Sequence, residues 1–220
     1  MARILAIDTT GESGSLAALE GGVIVAESLL QPPQTFSNTL FTHVRELLDR
    51  AGWNIAEVDV FATAAGPGSF TGVRIGIAAV KGLAEATGRR VASVSNLEAL
   101  AFFGSAPLRA AVLDARRGQV YAALFDAQLN TLRPAAVTLL PDWLAGVPTA
   151  DLEFLTHDPG LVRPALASTP FESVTVTEVP HALARAVAHI AACREPVDAA
   201  AIDANYVRRC DAELFWKDPR

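Results

Sequence analysis

The sequence predicts an α/β protein of two lobes, each built on a mixed sheet. Three observations lead there. An apolar strand ending in aspartate, Ile4 to Asp8, is followed by a polar turn and a returning strand, and the same arrangement recurs at Leu108 to Asp114. Between the two copies the segments read strand, strand, strand, helix, strand, helix. The 220 residues, 51% hydrophobic and 19% charged, suffice for one large domain or two small lobes.

Ile4 to Asp8, Ser15 to Leu19 and Val23 to Leu30 read as strands, with Gly21-Gly22 as a two-residue hairpin turn. Gln31-Pro32-Pro33-Gln34 stops the third. A helix follows from Phe36 to Ala51, with Thr35 or Ser37 as cap and Gly52 as stop. Its apolar positions, Phe36, Leu40, Phe41, Val44, Leu47, Leu48 and Ala51, fill a wedge of about 140°, wider than one neighbour needs. Val58 to Thr63 reads as a buried strand and leads into the glycine-rich stretch Ala64 to Gly76.

Ser69 or Thr71 is placed to cap a second helix, Val73 to Thr87. Its polar residues Arg74, Lys81 and Glu85 share one narrow stripe, which predicts burial on more than one side. Gly76 and Gly82 each cost roughly 1 kcal/mol against alanine in a helix interior, which points to close backbone approach. Next come a strand at 91–94, a helix from Asn96 to Phe103, the strand Leu108 to Asp114, a turn at Arg116-Arg117-Gly118 and a returning strand, Gln119 to Phe125. Beyond Asp126 the signal weakens. Val137 to Leu139 and Val174 to Val176 read as short strands among breaks at Pro141, Pro148, Pro159, Pro164 and Pro170. A helix from His181 to Ala192 closes at Pro196, and an irregular tail runs from Ile202 to Arg220. The lobes divide at 1–104 and 105–220.

Composition and motifs exclude several chemistries. The net charge of −6 and pI of about 5.2 argue against a protein that grips RNA by its own basic face. Cys193 and Cys210 form neither a CxxC pair nor a disulfide framework. His43, His157, His181 and His189 make no HExxH motif and no i,i+4 pair, so no metal site is expected. There is no GxSxG serine, and Lys81 lies too far along its helix for a phosphate-binding GxxxxGK[ST] loop. Lys81 and Glu85 interrupt the best apolar stretch, so no membrane span is expected. The chain enters a strand at Arg3 with no signal-peptide pattern, which predicts a cytoplasmic protein.

Two positions carry the functional question. The strand–aspartate–turn–strand echo suggests a duplicated, actin-like (ribonuclease H-like) fold, in which two such hairpins face one nucleotide. Those folds follow the first aspartate with glycine. Here the residues are Asp8-Thr9-Thr10, whose side chains stand where a phosphate would approach, so Asp8 reads better as a turn residue. The stretch Gly66 to Gly76 can hold an anion at the helix start, through Ser69, Thr71 or Arg74. It can equally be a turn that packs a helix on a sheet.

Gly66-Pro67-Gly68-Ser69-Phe70-Thr71-Gly72-Val73-Arg74-Ile75-Gly76 resembles the hallmark of the TsaB (YeaZ) family. Ile4 to Thr10, Leu113 to Tyr121 and Tyr206-Val207-Arg208-Arg209 resemble that family's first strand, second-lobe hairpin and tail. The likeness covers about residues 3–125 and then the tail. Pro33-Gln34-Thr35 and Ala204-Asn205 depart from the family's usual residues at those places.

The resemblance implies a scaffold with no catalytic residue of its own. It would act in the synthesis of threonylcarbamoyladenosine on tRNA, beside the larger catalytic paralogue TsaD and the ATPase TsaE. The paralogue carries a paired-histidine metal motif that has no equivalent here. The resemblance also implies a homodimer in isolation and tRNA reached only through the complex. No intrinsic cofactor is implied, with ATP or ADP held, if anywhere, at the complex interface. The pairing surface would be a helical bundle of the first two long helices. That makes Phe36, Leu40, Val44, Leu47, Val73, Gly76, Ile77, Ala79 and Val80 the candidate interface. The broad wedge, the apolar second helix and the missing phosphate turn tilt the glycine stretch toward packing. The alternatives are a stand-alone actin-fold ATPase or kinase using Asp8 and Asp114, and, ranked last, a peptidase.

Overall fold

Arg3–Asp8 (β1) is apolar without alternation because both its faces are covered, and Ile4 to Asp8 are all buried. In this computed structural model, which describes residues 2–30, 36–205 and 207, β1 is the middle strand of a five-stranded sheet. Gly14–Glu20 (β2) pairs with it antiparallel, and Val23–Leu30 (β3) pairs antiparallel with β2. Phe36–Ala51 (α1) leads to Val60–Ala64 (β4), which lies parallel to β1. Phe70–Thr87 (α2) leads to Arg90–Val94 (β5), parallel to β4. The order is β3-β2-β1-β4-β5.

After Asn96–Ala101 (α3) the plan repeats. Leu108–Asp114 (β6), Val120–Asp126 (β7) and Thr131–Thr138 (β8) form an antiparallel meander. Leu140–Leu144 (α4) precedes Leu152–Thr156 (β9), parallel to β6. Pro159–Leu166 (α5) precedes Thr175–Glu178 (β10), parallel to β9, and Ala184–Ala192 (α6) follows. The second order, β10-β9-β6-β7-β8, matches the first strand for strand. The duplication read from two hairpins therefore extends over both lobes, in an actin-like arrangement.

The third helix of each repeat packs on the other repeat's sheet. α6 lies on β1, β2, β4 and β5, while α3 lies on β6, β7 and β9. Between the sheets they share one core, in which Leu97 and Leu100 meet Val187 and Ile190. α1 and α2 cover the outer face of the first sheet with Leu40, Leu47 and Val80. Trp143 and Leu166 cover the outer face of the second. The helices thus do not respect the 104/105 division, although the two sheets fall on either side of it.

Several boundaries differ from expectation. α2 begins three residues before Val73, because Ser69 caps it. The last helix begins at Ala184, not His181. β8 runs from Thr131, far ahead of Val137. α4, β9 and α5 fill a region expected to be broken by prolines. Pro141 and Pro159 instead stand in the first turns of α4 and α5, where no intrahelical donor is lost. Thr35 and the tail residues Tyr206, Arg208 and Arg209 lie outside the described residues. Among the described residues no helix is long and apolar enough to cross a membrane.

Candidate functional site

The end of β1, the glycine stretch and the starts of α3 and α6 meet in one buried polar knot. Asp8 is 1% exposed. Its Oδ1 accepts from Thr10 N at 2.9 Å and Thr10 Oγ1 at 2.6 Å. Its Oδ2 accepts from Leu183 N at 3.2 Å, so the carboxylate caps the start of α6, which is 175 residues away in sequence. Ser15 Oγ accepts the next amide, Ala184 N, at 3.0 Å. Burial pushes the Asp8 carboxyl above its ordinary value, against the pull of Thr10, Leu183 and the nearby His181.

Asn96 joins this knot to the glycine stretch. Its side-chain amide donates to Thr10 Oγ1 at 2.5 Å and accepts from Gly66 N at 2.9 Å, while Asn96 N donates to Gly66 O at 2.9 Å. The start of α2 closes on the loop after β1. Ser69 N donates to Thr10 O at 2.8 Å, and Thr9 Oγ1 donates to Gly72 O at 2.7 Å. A Cβ at Gly72 would fall 1.9 Å from Thr9 O, and one at Gly68 would fall 2.8 Å from Thr10 O. These glycines therefore serve backbone-to-backbone contact, and the packing reading of the stretch holds.

The three candidate anion ligands do not converge. Ser69 Oγ accepts Gly72 N at 3.2 Å as the helix cap. Thr71 and Arg74 point outward, and the Arg74 guanidinium lies 3.7 Å from the centre of the Phe70 ring. In the second hairpin Asp114 accepts from Arg116 N at 2.7 Å and pairs with the Arg116 guanidinium at 3.4 Å. Unlike Asp8, it stays exposed. Cys193 is an exposed free thiol, and Cys210 lies outside the described residues. Among the described residues no group of three His, Cys, Asp or Glu side chains could hold a metal.

Most of the expected interface residues lie inside the chain. Leu40, Val44, Leu47, Val73, Gly76, Ile77, Ala79 and Val80 are buried under α1 and α2, and Phe36 is half-buried. The broad wedge of α1 packs on its own sheet and on α2. A bulky residue at Gly76 or Ala79 would therefore act first on the fold. A Cβ at Gly76 already meets Thr63 Oγ1 at 2.8 Å and Thr9 Oγ1 at 2.9 Å.

The outward side of the same two helices carries different residues. Phe41 is 56% exposed and Phe70 is 52% exposed. Ala78 and Gly82 face out of α2, and Gly82 has open space where a Cβ would go. Between the helices lies a groove of about 350 Å³, lined by Phe41, Arg45, Leu48, Trp53, Ile55 and Leu83, with Val44 at its floor. Phe41 sits at the edge of the apolar wedge, and that position was the sequence signal for an outward apolar residue.

A family model described as TsaD, tRNA N6-adenosine threonylcarbamoyltransferase, matches residues 23–140. The tRNA threonylcarbamoyladenosine biosynthesis protein TsaB of Bacillus subtilis is 30% identical over 224 residues, covering 97% of this chain and 97% of that protein. TsaB of Escherichia coli is 36% identical over 132 residues, covering 58% of this chain and 57% of that protein. Among solved structures, YeaZ from Pseudomonas aeruginosa matches with a TM-score of 0.80 at 32% identity, covering 94% of this chain and all of that one (100%). The ethanolamine utilization protein EutJ from Carboxydothermus hydrogenoformans shares the fold, with a TM-score of 0.51 at 12% identity over 86% of this chain and 89% of that one.

Proposed function

The chain belongs to the TsaB (YeaZ) family, and from that premise we propose that it serves tRNA threonylcarbamoyladenosine biosynthesis as a non-catalytic, activating subunit. Its partners in this reading are a TsaD-like catalytic paralogue and a TsaE-like ATPase, with tRNA reached through the complex. The reaction it supports is transfer of threonylcarbamoyl to N6 of the adenosine beside the anticodon. It brings no cofactor of its own, and ATP or ADP enters only at the complex interface. In isolation it pairs with itself, and its setting is the cytoplasm.

One observation carries the non-catalytic part. The aspartate that would face phosphate in an actin-like enzyme is 1% exposed and accepts from Thr10 and Leu183. No nucleotide reaches it without unseating the start of α6. The pairing part is supported by the outward groove of α1 and α2. An exposed phenylalanine, Phe41, and a half-buried leucine, Leu83, line it, and a partner helix can come close at the exposed Ala78 and Gly82 of α2.

Co-purification with the TsaD-like paralogue, followed by a modification assay with and without this chain, tests the reading. The chain should bind the paralogue and restore its activity while showing no ATP hydrolysis alone. Absence of binding, or turnover of ATP by the chain alone, would overturn it. A double variant, Phe41→Glu with Ala78→Glu, places charge on the outward side of α1 and α2 at two exposed positions, without entering the core. It should lower affinity for the paralogue at least about a hundredfold, roughly 2.7 kcal/mol, with an unchanged melting profile. Unaltered binding would move the surface elsewhere.

A further inference from the structure

Two histidines with no assigned role meet where the second sheet hands the chain back to the first. His157 follows β9, and His181 lies in the link from β10 to α6. Their rings stack with centroids 4.4 Å apart and planes 22° apart. His157 Nδ1 lies 3.0 Å from Val179 O, and since a carbonyl only accepts, Nδ1 is the nitrogen that donates. Val179 N donates to Thr156 O at 2.8 Å. The near end of the link is therefore tied to the end of β9. The far end is tied to the first sheet by Leu183 N on Asp8 and Ala184 N on Ser15.

We propose that the His157–His181 stack is a protonation-sensitive catch on this link. With the His157 ring neutral the stack holds the start of α6 against Asp8, and with charge on that ring it lets the start open. A positive charge on a half-buried imidazole, one face covered by a stacked ring, is poorly hydrated. Burial holds the His157 ring below its ordinary value, against the opposing pull of the Val179 carbonyl and with His181 a lesser cause that lowers it further.

The sign follows from linkage. A base whose closed-state value is depressed binds protons more readily once released. The closed link is favoured above the ordinary imidazole range and loses that advantage as pH falls through it. His181 faces His157, and Asp8 faces His181. Asp158, next to His157, accepts from Gly160 N at 2.8 Å, and Arg185 on α6 pairs with Glu27 at 2.6 Å.

Hydrogen exchange of the Leu183 and Ala184 amides, expressed as protection against the unstructured rate, reads the catch directly. His157→Phe keeps an aromatic stack without the charge. On acidification from about pH 7.5 to 5.5, protection should fall several-fold further in the unaltered protein than in this variant. His157→Gln, which also lacks the charge and can still donate to Val179 O, gives the same comparison if the first variant folds poorly. Equal pH slopes in the unaltered protein and a folded variant, or a steeper loss of protection in the variant, would overturn the proposal, since the titration of Asp8 acts alike on both. It stands independently of the reading as a biosynthetic subunit.

Discussion

Gly72→Ala is expected to destabilise the protein by about 3 kcal/mol or more, a drop in Tm of roughly 6–12 °C for a chain of this size. The added Cβ falls 1.9 Å from Thr9 O and 3.0 Å from Thr9 C. Both are backbone atoms, so no rotamer change relieves the clash, and α2 or the loop after β1 must move. That movement also stretches the bonds from Thr9 Oγ1 to Gly72 O and from Ser69 N to Thr10 O. Gly82→Ala on the same helix is the matched control. Nothing lies within 4 Å of its Cβ position, so alanine there should stabilise by roughly 1 kcal/mol. Urea unfolding of both variants checks the pair. A Gly72→Ala protein as stable as the original would mean that the helix start stands off from Thr9, with room for an anion at its N-terminus.

Most of the first lobe is legible in the sequence because its local signals agree with its tertiary setting. The helix Phe36 to Ala51 and the strand Val23 to Leu30 stand where the sequence reading puts them. β9 was not legible. Leu152-Glu153-Phe154-Leu155-Thr156 carries an acid at its second position, yet all five residues are buried. Glu153 is tolerated because it accepts from Ser105 N, Ala106 N and Thr177 Oγ1, partners that no local pattern announces. Prolines misled for a similar reason, since a helix breaker and a helix starter are the same residue at different positions.

The site divides along the same line. That Asp8-Thr9-Thr10 is a poor phosphate turn is readable from its side chains. That Leu183 takes the place of a ligand is not, because the contact joins opposite ends of the chain. The two helices proposed for pairing stand where periodicity puts them, but which of their residues face outward does not follow from it. Periodicity groups Leu40 with Phe41 and leaves open which of the two meets the chain's own sheet. Their exposures of 2% and 56% are set by where β2, β3 and α2 lie.

Asp8→Ala separates a structural aspartate from a catalytic one. If Asp8 served a nucleotide, its loss would weaken ligand binding and leave the fold nearly intact. As the cap of α6 it is joined to both ends of the chain, and its loss leaves the buried amides Thr10 N and Leu183 N without their acceptor. Each orphaned donor costs about 1–3 kcal/mol, and relief of the buried charge offsets part of that, so a net loss of about 2–4 kcal/mol is expected. The pH dependence carries a sign of its own. Burial raises the Asp8 carboxyl in the folded protein, so the folded state holds its proton at pH values where the unfolded chain has released it. The group's contribution is full below the ordinary carboxylate value and declines as pH rises through the folded one. The cost of Asp8→Ala should therefore be larger near pH 4 than near pH 7, measured by urea unfolding at both. A cost that grows toward neutral pH would mean that the hydrogen bonds from Thr10 and Leu183 outweigh burial, with the carboxylate held charged. A variant of unchanged stability would mean that α6 does not depend on Asp8, and would reopen this end of β1 as a place for a ligand.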